Sequence, residues 1–332
     1  MEKMGDQGKT KGVMVSICCL TYNHEAYVRQ TLEGFVNQRT NFQFEVLIHD
    51  DASTDGTARI IREYEARYPE LIRPILQTEN QYSKGLTNVS GTWNFPRARG
   101  KYIAMCEGDD YWTDETKLQR QVDYIEAHDG CALTFHSAKI ALEGRAFTER
   151  TMRPAKKSRI FSPEEIIDKT SGFPTASLMF RTEMVQNLPE FYVKAPIADI
   201  PLQLLSAARG YGYYMDRPMC VYRLGGSSSW TEMMKKGNYE EKQRAYREEM
   251  RRMYQGYDEF TGRRFHGAVE RAFRRLVFLT WVNTKKYDRV LDPKYRRFYR
   301  ELNPRTRFFI RLEVKAPGVY KKLQEMFHGK RG

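Results

Sequence analysis

Three apolar runs shape the first third of the chain, and each stops abruptly at polar or acidic residues. VMVSICCL (13–20) leads into Thr21 and Tyr22, FEVLIH (44–49) into Asp50 and Asp51, and KYIAMC (101–106) into Glu107, Gly108, Asp109 and Asp110. Runs that are apolar at consecutive positions suit strands buried on both faces. Between them the apolar spacing becomes helical: Val28, Leu32, Phe35 and Val36; then Ile60, Ile61 and Tyr64; and, after the third run, Leu118, Val122 and Ile125. Strand and helix alternating over short links imply a mostly parallel sheet flanked by helices, an α/β fold of Rossmann-like type. A weaker strand is expected at 71–76, because Pro74 cannot donate to a ladder. Further strands are expected at 131–140, 175–182 and 211–223, and a helix at 197–209. Asn23 is expected to cap the helix beginning near His24. Ser162, Pro163 and Glu165 have the pattern of a helix start with a capping box.

Of 332 residues, 41% are hydrophobic, which is ample for a buried core in one large domain or two ordinary ones. No apolar run approaches the ~18–20 residues that span a bilayer. The first twelve residues are polar, and no cleavage site follows the first apolar stretch, so no secretory signal is expected. The five cysteines lie in apolar runs without metal-ligand spacing, which argues for buried thiols rather than disulfides or zinc. The net charge of +13 is uneven. Residues 241–332 hold 25 Lys and Arg against 11 Asp and Glu, whereas residues 1–240 hold 30 against 31. A basic tail on a neutral body suits an anionic surface: lipid head groups, nucleic acid or an acidic protein. No RNP-like strand or zinc-finger spacing accompanies it, so nucleic acid is not the expected partner.

In an open parallel sheet, ligands bind beyond the carboxyl ends of the strands, where both acidic clusters would lie. Carboxylates crowded together repel unless a cation intervenes, and oxygen ligands suit Mg²⁺ or Mn²⁺. Four residues, Glu107 to Asp110, exceed what one helix cap needs, and Gly108 is read as letting backbone approach a ligand. Asp55, in STDGT, reads as a helix cap.

VSICCLTYNHEAYVRQTLEGFVNQ, FEVLIHDDASTDGT and GKYIAMCEGDDYW, in this order and spacing, resemble the opening of the family 2 glycosyltransferases with the GT-A fold. EGDDYWTDETKLQRQV (107–122) is similar to the EGDDYW-type bacterial polysaccharide subgroup. The resemblance covers residues 12–230. It implies transfer of a sugar, with inversion, from a nucleotide-sugar donor such as a UDP-sugar to a hydroxyl of a glycan or lipid-linked acceptor. It also implies a divalent metal, Mn²⁺ or Mg²⁺, on the diphosphate. Carried over by position, Thr21 and Tyr22 lie against the nucleobase, and Asp50 meets the uracil or ribose with Asp51 beside it. Glu107 and Asp109 are the two acids of the DxD motif, Asp109 the metal ligand and Glu107 nearer the ribose. Asp110 belongs to the same donor-binding group. Asp199, in APIADIPL, matches the general base, with Ile200 where the subgroup has Trp. Arg223 and Trp230, in VYRLGGSSSW, are candidates to close over the donor, and the His often found in that segment is missing.

The implied organisation is a disordered N-terminus (1–11), a GT-A domain (12–230) and a basic helical extension (231–332). The extension mixes Arg and Lys with Phe298, Tyr299, Phe308, Phe309, Ile310, Val319, Tyr320 and Phe327. Such helices suit the interface of an anionic bilayer, which would place a cytoplasmic enzyme peripherally on the inner face of the plasma membrane. Two other readings stay open here. Sugar-nucleotide pyrophosphorylases share the fold class but favour a Gly-rich phosphate loop where this chain has TYNHEAY. A non-enzymatic basic protein would rest on the tail alone.

Overall fold

The computed structural model describes residues 12–142, 150–225, 234 and 237–328. The apolar runs form strands β1 (Val13–Thr21), β2 (Gln43–Asp50), β3 (Ile72–Leu76) and β4 (Tyr102–Met105). These are followed by β5 (Tyr111–Trp112), β6 (Cys131–Leu142), β7 (Thr151–Met152), β8 (Arg159–Phe161), β9 (Met179–Arg181) and β10 (Tyr211–Leu224). They share one sheet in the order β3-β2-β1-β4-β9-β6-β10-β5, with β7 on β6 and β8 on β10. β3, β2, β1 and β4 are mutually parallel, and β6 is parallel to β10. β9 is inserted antiparallel between β4 and β6. The stretch expected as a strand at 175–182 is extended only at β9, because Thr175–Ser177 forms a 3₁₀ turn.

Helices α1 (Val28–Val36), α2 (Thr57–Arg67), α3 (Val89–Trp93) and α4 (Lys117–Glu126) belong to the first half. Then come α5 (Pro163–Asp168), α6 (Glu190–Val193), α7 (Asp199–Arg209), α8 (Tyr239–Phe260) and α9 (His266–Asn283). The period-2 alternation of each central strand feeds two cores. Val15, Ile17, Val46 and Ile48 pack with α1, α2 and α4, while Cys18 and Leu47 face the core shared with α5, α7, α8 and α9. Ser162 and Glu165 form the expected capping box. All five cysteines are buried free thiols. Asn23 does not cap α1. It holds φ 54°, the helix starts at Val28, and the Asn23 side chain instead accepts the Thr54 N–H at 2.8 Å.

A buried polar knot ties the sheet together away from the acidic clusters. Glu45 on β2 accepts from Ser16 Oγ (2.7 Å), the Arg99 backbone N–H (2.9 Å) and Arg99 Nε (2.9 Å). Burial alone would raise the Glu45 pKa, but the bonds from Arg99 and Ser16 outweigh it and hold the carboxyl below 4.5. Its charge therefore stabilises the fold above the usual glutamate pKa, and this contribution fades as pH falls through the lowered value. Glu45→Gln is expected to cost about 1–3 kcal/mol at neutral pH, measured by denaturant unfolding. The deficit relative to the unmodified chain should shrink on acidification.

The basic C-terminal region divides in two. Met250, Met253, Tyr254 and Tyr257 of α8, with Ala268, Val269 and Ala272 of α9, belong to the main core. α10 (Tyr287–Val290), α11 (Arg296–Glu301), α12 (Pro304–Lys315) and α13 (Pro317–His328) follow. Phe278, Val290, Phe298, Tyr299 and Ile310 close into a small cluster of their own. Phe298, Tyr299 and Ile310 are therefore occupied within the protein, contrary to the expectation that they face a membrane. Phe308 (57% exposed), Val319 (52%) and Met326 (64%) remain on the surface. Among the described residues no helix is long and apolar enough to cross a membrane.

Candidate active site

The carboxyl ends of β1, β2 and β4 lie side by side. Thr21 is level with Asp50, and Cys18 with Met105. The strand register thus brings Thr21, Tyr22, Asp50, Asp51 and Glu107–Asp110 to one edge. The Asp51 N–H donates to the Thr21 carbonyl (2.9 Å) and the Gly108 N–H to the Leu20 carbonyl (2.8 Å), so the three loops leave the sheet as one unit. A Cβ on Gly108 would sit 2.4 Å from Thr21 Cγ2 and 2.9 Å from His24 Nδ1. The glycine is needed for packing between the strand ends.

Each acid at this edge has a different position. Asp50 is buried and engaged, accepting Thr21 Oγ1 (2.7 Å), Ser53 Oγ (2.6 Å) and the Ser53 N–H (3.0 Å). Between it and Ser53, Ala52 holds φ 60°, a left-handed conformation usually left to glycine. Asp51 accepts the Gln81 and Tyr82 N–H groups (2.8 and 3.0 Å). Tyr22 is exposed beside them. Asp110 Oδ1 accepts the Arg223 N–H (2.9 Å), while its Oδ2 is buried without a hydrogen-bond partner among the described residues. The antiparallel pairing of β5 with β10 brings Arg223 here. Its guanidinium donates to the Asp109 carbonyl and to Gln30, and lies 4.9 Å and 4.5 Å from the Tyr27 and Tyr111 ring centres. Arg223 is thus braced against the acidic loop. Trp230 lies outside the described residues, as does the expected domain boundary beside it.

The electrostatics join these groups to Asp199. Burial, then Asp109, then Asp199 raise the Glu107 pKa above the usual glutamate range. Burial and then Asp109 do the same to Asp110. Asp199 opens α7. Burial pushes its carboxyl up, against the pull of its own and the Ile200 backbone N–H groups. Its charge raises the pKa of Tyr192, Tyr246 and Tyr254, after burial in each case. Tyr222 on β10 feels, besides burial, Glu107, Asp110, Asp109 and Asp199. Asp199 is therefore within electrostatic reach of Glu107 and of Tyr192, Tyr222, Tyr246 and Tyr254. A bridge spans the same cleft: the segment whose Gln81 and Tyr82 hold Asp51 also reaches the Asp199 side, where Thr87 Oγ1 donates to the Ala195 carbonyl (2.8 Å).

Sequence reasoning singled out the acids and missed their surroundings. Tyr222 adjoins Arg223 in a segment already noted, so alternation along β10 was an available signal. His24, with Nδ1 buried and unpartnered among the described residues, faces the field of Asp109 and lies inside the TYNHEAY segment. Tyr246 and Tyr254 come from α8, and nothing local marks them.

The donor set suits a hard divalent cation. The acids raise one another's pKa, and Asp110 leaves one buried oxygen unpartnered. Among the described residues no three His, Cys, Asp or Glu side chains form a group placed to hold a metal ion.

Residues 16–187 match the family model described as "Glycosyl transferase family 2". The chain belongs to glycosyl transferase family 2. The chain is 38% identical over 221 residues to an uncharacterized protein of Mycobacterium tuberculosis, a match covering 65% of this chain and 60% of that protein. Over 115 residues it is 34% identical to the UDP-Glc:alpha-D-GlcNAc-diphosphoundecaprenol beta-1,3-glucosyltransferase of Escherichia coli, covering 34% of this chain and 41% of the other. A mannosyltransferase of Pyrobaculum calidifontis, solved in complex with GDP-Man and Mn²⁺, superposes with TM-score 0.53 at 15% identity, over 96% of this chain and 84% of that one. At that identity the likeness shows a shared fold. Together with the sheet order, it agrees with the GT-A architecture expected from the sequence.

Proposed function

We propose that this glycosyltransferase moves a sugar from a nucleotide-sugar, with UDP the preferred nucleotide, to a hydroxyl of a glycan or lipid-linked acceptor with inversion. The observation that carries this reading is the gathering of Thr21, Asp50, Asp51 and Glu107–Asp110 at the carboxyl edge of parallel strands, with Asp199 within electrostatic reach of Glu107. Such an edge can hold a donor on one side and an acceptor on the other. Thr21, Tyr22, Asp50 and Asp51 are assigned to the nucleoside. Asp50 and Asp51 act there largely by fixing the loops that form its walls. Asp109 is assigned as metal ligand, with Glu107 toward the ribose and Asp110 and Arg223 bracing the motif. Trp230 is assigned to the donor side. A divalent cation held there, Mn²⁺ or Mg²⁺, supplies positive charge as the diphosphate leaves. Asp199 takes the proton of the acceptor hydroxyl as that oxygen attacks the anomeric carbon opposite the leaving group. Burial favours this role, because it raises the affinity of the carboxylate for a proton.

The GDP-Man and Mn²⁺ of the Pyrobaculum enzyme support a metal-dependent donor site. The UDP-Glc donor and diphosphoundecaprenol-linked acceptor named for the Escherichia coli relative support the UDP and lipid-linked assignments. Nucleotide release from a panel of UDP-, GDP- and dTDP-sugars with Mn²⁺ tests the reading. Release from one of them, stopped by chelator, is expected. No release from any, with no thermal stabilisation by any donor, would sink it.

The same proposal places the C-terminal helices against an anionic membrane. Phe308 lies among Arg305, Arg311 and Lys315, while Val319, Lys322 and Met326 form one exposed stripe on α13. Each Lys or Arg near such a surface contributes about 1 kcal/mol. Arg311→Glu, Lys315→Glu and Lys322→Glu together should weaken sedimentation with anionic liposomes by about 100-fold or more. Equal binding to neutral and anionic liposomes would rule the docking out.

A further inference from the structure

One face of α1 holds the segment that follows β4 at three points. Thr31 is fully buried. Its hydroxyl lies 2.6 Å from the Asp110 carbonyl oxygen and 3.0 Å from that of Gly108, and donates between them. A threonine inside a helix ordinarily donates to the carbonyl one turn back. Here that bond, to Tyr27, is the longest of the three at 3.4 Å. Further along, a Cβ at Gly34 would sit 2.9 Å from the Trp112 carbonyl oxygen, so α1 and β5 meet backbone to backbone. Just past the helix, the Gln38 side chain donates to the Asp114 carbonyl (2.9 Å) and accepts the Leu118 N–H (3.1 Å). Thr31, Gly34 and Gln38 follow one another at the three- and four-residue spacing of a single helix face.

The acidic loop is thereby gripped through its backbone at each residue from 108 to 110. Thr31 takes the Gly108 and Asp110 carbonyls, Arg223 takes the Asp109 carbonyl, and the Leu20 carbonyl takes the Gly108 N–H. Carboxylates crowded in one loop repel one another, so its shape without a cation depends on this backbone grip. We propose that Thr31 is a positioning residue for metal binding: its hydroxyl fixes the backbone on both sides of Asp109, so that the Asp109 carboxylate is in place before the cation arrives. The inference rests on the assignment of Asp109 as metal ligand and adds a residue to it. Thr31 acts through the loop and is not itself a ligand. Without its hydroxyl the loop samples other arrangements, and the cation must select the competent one. Selection of that kind lowers the apparent affinity and leaves the bound geometry unchanged.

Thr31→Val keeps the shape of the side chain and removes its proton donor, leaving the two carbonyls without it. Mn²⁺ titration of the full chain in the presence of UDP should show binding about 10-fold weaker than in the unmodified chain, with the same one-to-one stoichiometry at saturation. Thr31→Ser, which keeps the hydroxyl, should restore most of the affinity. Val28→Ala removes a buried methyl pair from the same helix and makes no change to these hydrogen bonds. It should lower the thermal midpoint and leave Mn²⁺ affinity as it was, which separates positioning from loss of stability. In metal-free buffer, amide hydrogen exchange across residues 107–112 should be faster in Thr31→Val than in the unmodified chain. If the valine variant does not fold, Thr31→Ala makes the same comparison. Equal Mn²⁺ affinity in the variant lacking the hydroxyl, no recovery in Thr31→Ser, or equal weakening in Val28→Ala would overturn the inference and leave the metal assignment standing. No saturable uptake by the unmodified chain would overturn the metal assignment itself, and the inference with it.

Discussion

Replacing Asp109 with Asn will lower sugar transfer by about 10³-fold or more and leave the fold intact. The loss follows from taking a charged ligand away from a cation that must meet charge developing on the leaving diphosphate. The intact fold follows from the site's own electrostatics. Asp109 raises the pKa of Glu107 and Asp110, so its charge opposes theirs in the metal-free protein. Neutralising it removes a repulsion, and the thermal midpoint without metal should hold steady or rise. In the presence of Mn²⁺ and nucleotide, the unmodified chain should gain thermal stability and the variant should not. Near-normal turnover with Mn²⁺ in the variant would remove Asp109 from the metal site.

The second large effect belongs to Asp199. Asp199→Asn keeps size and polarity but removes the basic oxygen, and loss of a general base costs on the order of 10²–10⁴-fold in rate. Donor affinity should barely change, because the proposal assigns this residue to the acceptor side. The base works unprotonated, so activity falls as pH drops through its pKa. Burial places that acid limb above the ordinary aspartate value of 3.8, and the limb should disappear from the residual activity of the variant. Loss of donor binding with transfer intact at saturating donor would move Asp199 to the donor pocket.

The acidic edge is legible in the sequence for a simple reason. A strand buried on both faces must be apolar throughout, so where VMVSICCL, FEVLIH and KYIAMC give way to charge, the strand has left the core. Parallel order then puts those three ends together. The environment of Asp199 is not legible in that way. Tyr222 comes within its field through β10 and Tyr246 and Tyr254 through α8, from segments far apart in the chain. Local rules also misplace residues whose partner is distant. Asn23 has the composition of a cap, yet its side chain is taken by Thr54 of the neighbouring loop. The packing of Gly108 against Thr21 and His24 is likewise invisible to local rules, because these neighbours come from another strand end. The apolar residues of the tail show the same limit. Periodicity marks Phe298, Ile310 and Phe308 alike, and only tertiary packing buries the first two and exposes the third.

The central claim is that one cleft is divided between a metal-and-donor half at Asp109 and a base at Asp199. Titration of Mn²⁺ in the presence of UDP, with free Mn²⁺ followed by its electron paramagnetic resonance signal, tests that division most directly. Saturable uptake of one Mn²⁺ per chain is predicted for the unmodified protein and for Asp199→Asn, and no saturable uptake for Asp109→Asn. Equal uptake by Asp109→Asn, or loss of uptake in Asp199→Asn, would contradict it.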